Sequence, residues 1–587
     1  MKKHLGLLYG LSALALVGCA SMPSSDSSSP VSSPLSSSFS SDTSISSSAT
    51  SVPIEELLTF SEIPEKEFEC SVEAKSKDIE GEVVIPNVYN GRKVTRIEDS
   101  AFEGCTKITR ISIPWCVEYI GSDAFYGATS LEAIDVASDN PIYASHEGVL
   151  MDKENSALVL CPQGKKGDYA ILDSVLLIKS NAFEGCEKLN SVTIPASVRN
   201  IAEYAFDGCA SLTAFYVDPE NREFSSVDGV LFNQQKSTLL LCPNGKEGAY
   251  IVPSTVEKID DGAFEGCSKL TSLSLQEGLK VLGESAFSGC ELLSSLTLPK
   301  TLTHIGELAF TRTAITSLDV PSNVIQLEQS AFYLCEKLES INVHEDNVFY
   351  ASRDGVVFYK SKSTLLVCPE GKSGDYAMPE GYQAIGDEAF EGCKKLTSIA
   401  LPASLNYIGE NAFSGTEGNL AFTVADGSGF YSALDGVLFN QSKTTLISYP
   451  QGKSGAYVIP ETVTALAESC FENSVGLTSV TIPSSIAIIP EYAFFYCEAL
   501  TSISFLDTLK EIHSFAFSFC SSLTSIDLPV SLTLLEDFCF SSCTSLASVR
   551  YLGTLAQWGE VDVEQYWCNR CPLTKVTCSD GEVQVGD

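Results

Sequence analysis

Histidine is scarce in this sequence. Five occur among 587 residues, scattered singly as His4, His146, His304, His344 and His513. Imidazole is the commonest general base and a frequent zinc ligand, so isolated histidines leave little material for either role. Paired carboxylates, nucleophile elbows and glycine-rich dinucleotide fingerprints are not found. The sequence therefore predicts a protein that is not an enzyme, with no catalytic residue, no metal and no cofactor.

Basic side chains are also few. The chain has 37 Lys and Arg against 75 Asp and Glu, which gives a formal net charge of −38. A charge of this sign repels phosphate backbones and anionic lipid headgroups. We therefore expect no nucleic-acid partner.

Long hydrophobic runs are absent except near the N-terminus. Lys2 and Lys3 precede an apolar run from Leu5 to Val17. A helix over this run would span only about 20 Å, short of the roughly 30 Å of a bilayer core. A basic start followed by a short apolar run favours an export signal over a transmembrane anchor.

The end of this run looks like a bacterial lipobox, because it reads Leu-Val-Gly-Cys19. We predict a lipoprotein signal peptide over residues 1–18 and a lipid on Cys19. The protein would then be exported and held at the bacterial cell surface, with the lipid as its only membrane contact. An ordinary secretory signal cleaved near Ala20, or a chance cysteine, is the alternative.

Serine dominates residues 19–53, which also contain Pro23, Pro30 and Pro34 and almost no charge. Such a segment cannot bury enough apolar surface to offset its ordering entropy. We predict a disordered tether that lifts a folded body off a membrane.

The rest of the chain is repetitive. The dipeptide Ala-Phe, or a close variant, occurs fourteen times, with steps of 22, 23 or 58 residues. A fixed period in the twenties indicates a solenoid, because so short a unit buries its apolar face only by stacking on its neighbours. The repeated residues are Phe102, Phe125, Phe183, Phe206, Phe264, Phe287, Phe310, Phe332, Phe390, Phe413, Phe471, Phe494, Phe517 and Phe540.

One unit, from Ile259 to Leu275, shows the local pattern. Up to Cys267, apolar residues recur every four or five positions and a glycine comes near the end, as in a short helical turn. The following Leu-Thr-Ser-Leu-Ser-Leu alternates with period two and predicts a strand. This pattern, over roughly residues 80–550, resembles the BspA-like class of leucine-rich repeat. The resemblance implies an α/β fold, a right-handed solenoid with one strand per coil in a parallel stack on one face and short helical turns on the other.

The four 58-residue steps contain 35 extra residues that are themselves alike. In one of them, Asp354-Gly355 separates two apolar runs, which is a hairpin signal. The equivalent dipeptides are Glu147-Gly148, Asp228-Gly229 and Asp435-Gly436. We predict longer coils that each contain a β-hairpin, an element that the resemblance also implies.

The period ends near residue 550. We therefore predict a solenoid over residues 54–550, with an N-terminal cap within 54–90, and a C-terminal cap over residues 551–587. A solenoid needs such covers because its end coils have no neighbour.

Two short motifs echo the end of a phosphate-binding loop, Gly371-Lys372-Ser373 and Gly452-Lys453-Ser454. That motif needs a glycine five residues before its second glycine, where this chain has Leu366 and Ile447. The same turn recurs in all four longer coils. We interpret it as a loop encoded by the repeat.

Twenty-one cysteines in an exported protein usually form disulfides. Ten of them instead lie three residues after a repeat phenylalanine, a position that elsewhere holds Ala128, Thr313, Thr416 or Ser474. A packing constraint explains small residues there, whereas a bridge does not, so we predict buried, reduced thiols. This cysteine column consists of Cys105, Cys186, Cys209, Cys267, Cys290, Cys335, Cys393, Cys497, Cys520 and Cys543.

Three cysteines of the tail, Cys568, Cys571 and Cys578, have metal-like spacing. No second pair or histidine completes four ligands, so a metal site is disfavoured. A disulfide and free thiols stay open.

The strand pattern Ser-Ile-x-Ile turns position x outward. We predict a partner site centred on Tyr216 with Thr193 and Ser274, because tyrosine is enriched at interface hot spots. A plain solvated face is the alternative, and a slip of one residue would put Phe215 outside instead. The outward column is mostly small and polar: Ser112, Asp135, Thr193, Tyr216, Ser274, Thr297, Asp319, Asn342, Ala400, Thr423, Thr481, Ser504, Asp527 and Arg550.

Taken together, these features predict a surface-anchored binding or adhesion protein that presents an extended acidic scaffold to a macromolecule, such as a host or matrix protein. The resemblance implies adhesion. A carbohydrate-capture or nutrient-scavenging lipoprotein is the alternative, with a glycan as its ligand, although a sugar platform would need more aromatic side chains than this column has. An enzyme with a site in the hairpin coils is the third reading.

Overall fold

Stacked parallel strands dominate the computed structural model, which describes residues 53–585 apart from 65, 417 and 419. The predicted signal peptide, the tether up to residue 52 and Cys19 lie outside the described residues, so their roles stay predictions. The chain from Ile54 onward forms one compact unit. Within the described part, no helix is long and apolar enough to cross a bilayer.

The alternating segments form the predicted strands, and adjacent coils pair them in parallel. Leu189–Ile194 pairs with Ala214–Val217, so that Val192 lies opposite Phe215 in the core. We call the outward side of these strands the strand face. Its strands are Glu80–Val84, Lys107–Ile113, Ala133–Val136, Gly167–Ala170, Leu189–Ile194, Ala214–Val217, Gly248–Ile251, Leu270–Ser274, Ser317–Val320, Ser340–Val343, Gly374–Ala377, Leu396–Leu401, Ala421–Val424, Gly455–Val458, Leu477–Thr481, Ser502–Ser504, Ser525–Leu528, Ser548–Tyr551 and Lys575–Cys578.

A second strand, usually of two residues, precedes most Ala-Phe turns and also pairs in parallel with its neighbours. The prediction of one strand per coil was therefore wrong. These strands are Arg92–Ile97, Tyr119–Ile120, Leu177–Ile178, Asn200–Ile201, Lys258–Ile259, Val281–Leu282, His304–Ile305, Gln326–Leu327, Ala384–Ile385, Tyr407–Ile408, Ala465–Leu466, Ile488–Ile489, Glu511–Ile512, Leu534–Leu535 and Asp562–Val563.

The Ala-Phe segments are not helical, which corrects the α/β prediction. The amides of Gly262, Phe264 and Gly266 donate to carbonyls of the next coil at 2.7, 2.9 and 2.8 Å, whereas those of Ala263 and Glu265 donate to the carbonyl three residues earlier. Every second amide thus bonds to the neighbouring coil, whereas an α-helix would bond all of them within the segment. The fold is a β-solenoid.

Helix is therefore rare in the described residues. The helices are Ile54–Leu57 and Leu555–Trp558, and one turn of 3-10 helix covers Gln329–Phe332.

Each longer coil contains the predicted hairpin and a third antiparallel strand. Val227 pairs with Val230 across Asp228 and Gly229, whose φ angles of 50° and 79° are those of a tight hairpin turn. The strands are Tyr143–His146, Val149–Asp152 and Ala157–Leu160; Phe224–Val227, Val230–Asn233 and Thr238–Leu241; Tyr350–Arg353, Val356–Tyr359 and Thr364–Val367; and Tyr431–Leu434, Val437–Asn440 and Thr445–Ser448.

The core is a column of stacked phenylalanines. All fourteen repeat phenylalanines are buried. Phe183 and Phe206 lie 4.7 Å apart between ring centroids, and Phe494 and Phe517 lie 5.1 Å apart with planes 3° from parallel. These rings thus pack against the rings of neighbouring coils, as a solenoid requires.

At the N-terminal end, Leu58–Glu62 pairs antiparallel with Glu69–Ala74, and Val88–Tyr89 pairs with Arg92–Ile97. At the C-terminal end, Leu555–Trp558 begins at Thr554 with a capping box to Gln557.

The tail then makes one further coil, which the broken period concealed. Asp562–Val563 extends the short strands and Lys575–Cys578 extends the strand face. Trp567 packs edge-on against Phe540 at 6.0 Å and covers the end of the phenylalanine column. Gly581–Gln584 then pairs antiparallel with Lys575–Cys578.

Candidate functional site

Tyr216 stands on the strand face with 57% of its surface exposed, while Phe215 is fully buried. The outward register predicted for this strand is therefore confirmed. Thr193 is exposed and lies directly opposite Tyr216 in the parallel ladder. These two predicted residues are brought together.

Ser274 is exposed but does not adjoin Tyr216, so the prediction that these two residues are neighbours was wrong. The longer coil adds its own strand, and Ile251 of that strand lies opposite Ser274. The hairpin occupies the other side of the Tyr216 strand, where the Val217 amide donates to Ser226 Oγ at 3.1 Å. Thr193 and Tyr216 thus border a hairpin, and Ser274 lies beyond it.

The strand face also contains residues that the sequence reasoning missed. The Gly-x-Tyr-x strands of the longer coils place one more outward side chain each, at Ala170, Ile251, Ala377 and Val458. Ile251 and Val458 are 68% and 66% exposed. The Gly-Lys turn before each such strand was the available signal, because it recurs at the same distance in every longer coil.

Ion pairs and hydrogen bonds link neighbouring coils across this face. Arg110 pairs with Asp135 and Arg550 with Asp527. Pairs this exposed contribute little to stability, so they mainly fix side-chain positions. Hydroxyl bonds from Ser398 and Thr397, both at 2.7 Å, hold the pKa of Asp375 below its usual value. The surface can donate and accept hydrogen bonds, and this suits binding.

The Gly-Lys turns secure the hairpins, in agreement with their interpretation as repeat-encoded loops. Lys372 Nζ donates to the carbonyl of Asp354 in the hairpin turn at 2.6 Å and lies 5.6 Å from the centroid of the Tyr376 ring. The same bond joins Lys165 to Glu147, Lys246 to Asp228 and Lys453 to Asp435.

Buried asparagines fix the base of three hairpins, and the sequence reasoning missed them. Asn347 is fully buried. Its Nδ2 donates to the carbonyls of Pro321 and Val324 at 3.2 and 2.8 Å, and its Oδ1 accepts from the amides of Phe349 and Tyr350. Asn140 and Asn221 make the same contacts, and Ser428 takes this place in the fourth longer coil. The Asp-Asn or Glu-Asn pair that precedes three of the four hairpins was the available signal.

The column cysteines are buried and unpaired in the structure, as the small residues in their column indicated. Burial raises the pKa of Cys335 to about 12, and it raises the pKa of Cys520 and Cys290 still further. A thiol with so high a pKa is a poor nucleophile and a poor metal ligand. These positions are structural.

In the tail, Cys568, Cys571 and Cys578 are also unpaired. Cys571 Sγ lies 2.8 Å from the carbonyl of Phe540, the contact that a column cysteine makes. Across the described residues, no group of three or more histidine, cysteine, aspartate or glutamate side chains is placed to hold a metal ion.

Comparison with known proteins gives a family match. The family model described as a BspA type leucine rich repeat region matches residues 61–146, 167–244, 248–363, 372–454 and 455–585, with six copies. No curated protein matches the sequence.

Solved structures of bacterial repeat proteins are similar to this chain. A leucine-rich repeat protein from Eubacterium ventriosum is 19% identical, with 74% of this chain and 96% of that chain covered and a TM-score of 0.40. A leucine rich cell surface protein from Faecalibacterium prausnitzii is 21% identical, with 86% and 95% covered and a TM-score of 0.28.

Proposed function

We propose that this chain, which belongs to the family of BspA-type leucine-rich repeat proteins, is a surface-anchored adhesion protein that binds a protein partner through its strand face. The observation that carries the proposal is the exposed Tyr216 beside Thr193 in the predicted outward column, whose other members are mostly small and polar. Tyrosine supplies a large contact area and a hydroxyl with little loss of side-chain freedom.

The charge of the chain supports a basic surface on the partner. With a net charge of −38, complementary charges would speed the encounter and make binding weaken as salt is added. Anchoring would come from a lipid on Cys19. A glycan fits this face less well, because one aromatic side chain in the predicted column offers one stacking platform.

An array of matrix proteins, host surface proteins and glycans, probed with the purified chain at low and high salt, tests this function. We expect binding to one or more proteins that decreases with salt. Binding to glycans alone would replace the proposal with carbohydrate capture, and turnover of a glycan or peptide would replace it with an enzyme.

A further inference from the structure

Two backbone positions in most Ala-Phe turns are left-handed, two residues before the phenylalanine and two residues after it. At Gly262 and Gly266 the φ angles are 64° and 68°. In the coils before residue 490, these places mostly hold glycine, asparagine, aspartate or serine, which tolerate this conformation.

Aromatic residues occupy these positions near the C-terminal end. Tyr492, Phe515 and Phe538 precede the repeat phenylalanine with φ of 57°, 58° and 61°. Tyr496 and Phe519 follow it with φ of 57° and 62°. Bulky side chains disfavour this conformation, so five of them in three consecutive coils indicate a use that offsets the strain.

The rings form two ladders on the turn side of the coils. Tyr492, Phe515, Phe538 and Tyr566 stack with centroid distances of 5.1, 5.2 and 5.6 Å and planes within 10° of parallel. Tyr566 is 47% exposed and the other three are half-buried.

The second ladder is shorter. Tyr496 stacks on Phe519 at 4.3 Å, and Phe495 meets Tyr492 and Tyr496 edge-on at 5.3 and 4.8 Å. We call the two ladders with Phe495 the aromatic strip.

The stacking determines what the strip can bind. Rings stacked face to face cover one another, so the strip presents ring edges and tyrosine hydroxyls to solvent. A sugar ring stacks on an open aromatic face, whereas apolar side chains of a protein pack well against edges. The strip therefore favours a protein segment over a glycan.

A cavity lies at the C-terminal end of the hydrophobic core, in the coil that also contains Tyr566. It measures about 280 Å³, and its lining includes Trp558, Trp567, Val576 and Glu564. Glu564 is separated by one residue from Tyr566, the last ring of the longer ladder. The cavity can take an apolar side chain.

The charge around the strip is strongly acidic. Residues 490–570, the segment that carries the strip, contain ten Asp and Glu against three basic residues, Lys510, Arg550 and Arg570, and Arg550 pairs with Asp527 on the strand face. Glu491 and Asp537 each adjoin a ring of the longer ladder in sequence. A second copy of this chain would bring like charges together, so a cationic partner is favoured.

We propose that the aromatic strip forms a docking surface for a protein segment that carries apolar side chains flanked by lysine or arginine. This surface lies on the turn side of the coils, apart from the strand face. It does not depend on the function proposed for Tyr216.

The test uses the full chain and fluorescent twelve-residue peptides. One set combines leucine and phenylalanine with lysine and arginine; a second replaces the apolar residues with serine, and a third replaces the basic residues with glutamate. The variant is Tyr492→Asn, Phe515→Asn and Phe538→Asn together, because Asn181 and Asn411 already occupy this position in other coils. A single Phe515→Asn variant accompanies it. Tyr204→Asn is the matched control, since Tyr204 is an exposed tyrosine at the same left-handed position in an earlier coil.

We expect the first set to bind at least tenfold more tightly than the other two. The triple variant should bind the first set at least tenfold more weakly than the wild type, and the single variant should lose part of that affinity. Both variants should unfold within a few degrees of the wild type. Tyr204→Asn should bind like the wild type. Equal binding of the first and second sets would overturn the proposal, as would wild-type affinity in the triple variant. A large drop in the unfolding temperature of both strip variants would show instead that the ladders only stabilise the fold.

Discussion

The thiol of Cys497 donates a hydrogen bond to the backbone carbonyl of Phe471, one coil earlier, over 3.1 Å. That carbonyl also accepts the amide of Ser474 in its own turn, so both of its lone pairs are used. The same thiol contact to the preceding repeat phenylalanine is made by Cys209, Cys290, Cys335, Cys520 and Cys543. The cysteine column therefore ties adjacent coils together through reduced thiols.

We expect Cys497→Ala to lower the free energy of unfolding by about 1 to 2 kcal/mol, because it removes this bond and leaves a small cavity. Urea unfolding measures the loss. Mass spectrometry after alkylation of native and denatured protein should find the column thiols modified only after denaturation. Column thiols already paired in disulfides before denaturation would contradict this account.

Asn347 connects a hairpin to the preceding coil through four hydrogen bonds, all from a fully buried side chain. Asn347→Ala leaves these backbone groups unpaired, and we expect a loss of about 2 to 4 kcal/mol in unfolding free energy. Asn347→Ser should lose less, because the hydroxyl of Ser428 at the equivalent place still accepts from the Tyr431 amide. If Asn347→Ala unfolds at the same urea concentration as the wild type, Asn347 does not hold the hairpin to the preceding coil.

Glu370 makes stability depend on pH. Burial raises its pKa to about 7, and its Oε1 accepts the Leu334 amide at 2.6 Å. The folded state therefore binds the proton more tightly than the unfolded chain, whose carboxyl titrates near 4.5. By linkage, protonation of Glu370 makes its whole contribution to stability below pH 4.5, and this contribution is lost as the pH rises towards 7.

A Glu370→Gln variant should accordingly be more stable than the wild type at pH 8, by about 2 to 3 kcal/mol, and similar to it at pH 4. Gln163 at the equivalent place donates to the Glu184 carbonyl at 3.0 Å, so glutamine fits the site. Thermal unfolding between pH 4 and 8 measures the difference. A variant that loses stability at pH 8 would contradict the assignment.

Cys19 is the proposed lipid site, on the basis of the Leu-Val-Gly-Cys sequence and the serine-rich segment that follows. We expect Cys19→Ser to abolish acyl labelling and to move the protein out of the membrane fraction. Cys70→Ser, which alters a buried cysteine of the N-terminal sheet, is the control and should remain acylated. A Cys19→Ser protein that stays acylated in membranes would exclude this anchor.

The strands and hairpins could be predicted from sequence because each has a local signal. The alternating pattern of the strand residues predicts which side chains point into the core and which point outward. It correctly predicted that Tyr216 points outward and Phe215 inward. The Asp-Gly pairs identified the hairpins because few other residues adopt two successive left-handed conformations.

The turns and the neighbours of Tyr216 could not be predicted in this way, because both depend on contacts between coils. An apolar residue every four or five positions fits a helical turn, yet the amide of Phe264 bonds to the next coil. Ser274 follows Tyr216 in the column counted along the sequence, but the longer coil inserts Ile251 between them. The further coil of the tail could not be predicted because it has no Ala-Phe pair: Trp567 and Cys568 stand at these two places.

The most direct test of the proposed function compares two exposed tyrosines of the same coil, Tyr216 on the strand face and Tyr204 on the turn side, which are 57% and 65% exposed. The measurement is the affinity of Tyr216→Ala and Tyr204→Ala for a protein that the array identifies, with thermal unfolding recorded for both variants. We expect Tyr216→Ala to bind at least tenfold more weakly at an unchanged unfolding temperature, because truncating an interface tyrosine costs about 2 kcal/mol, and Tyr204→Ala to bind like the wild type. Wild-type affinity in Tyr216→Ala would contradict the account, as would weaker binding in Tyr204→Ala alone.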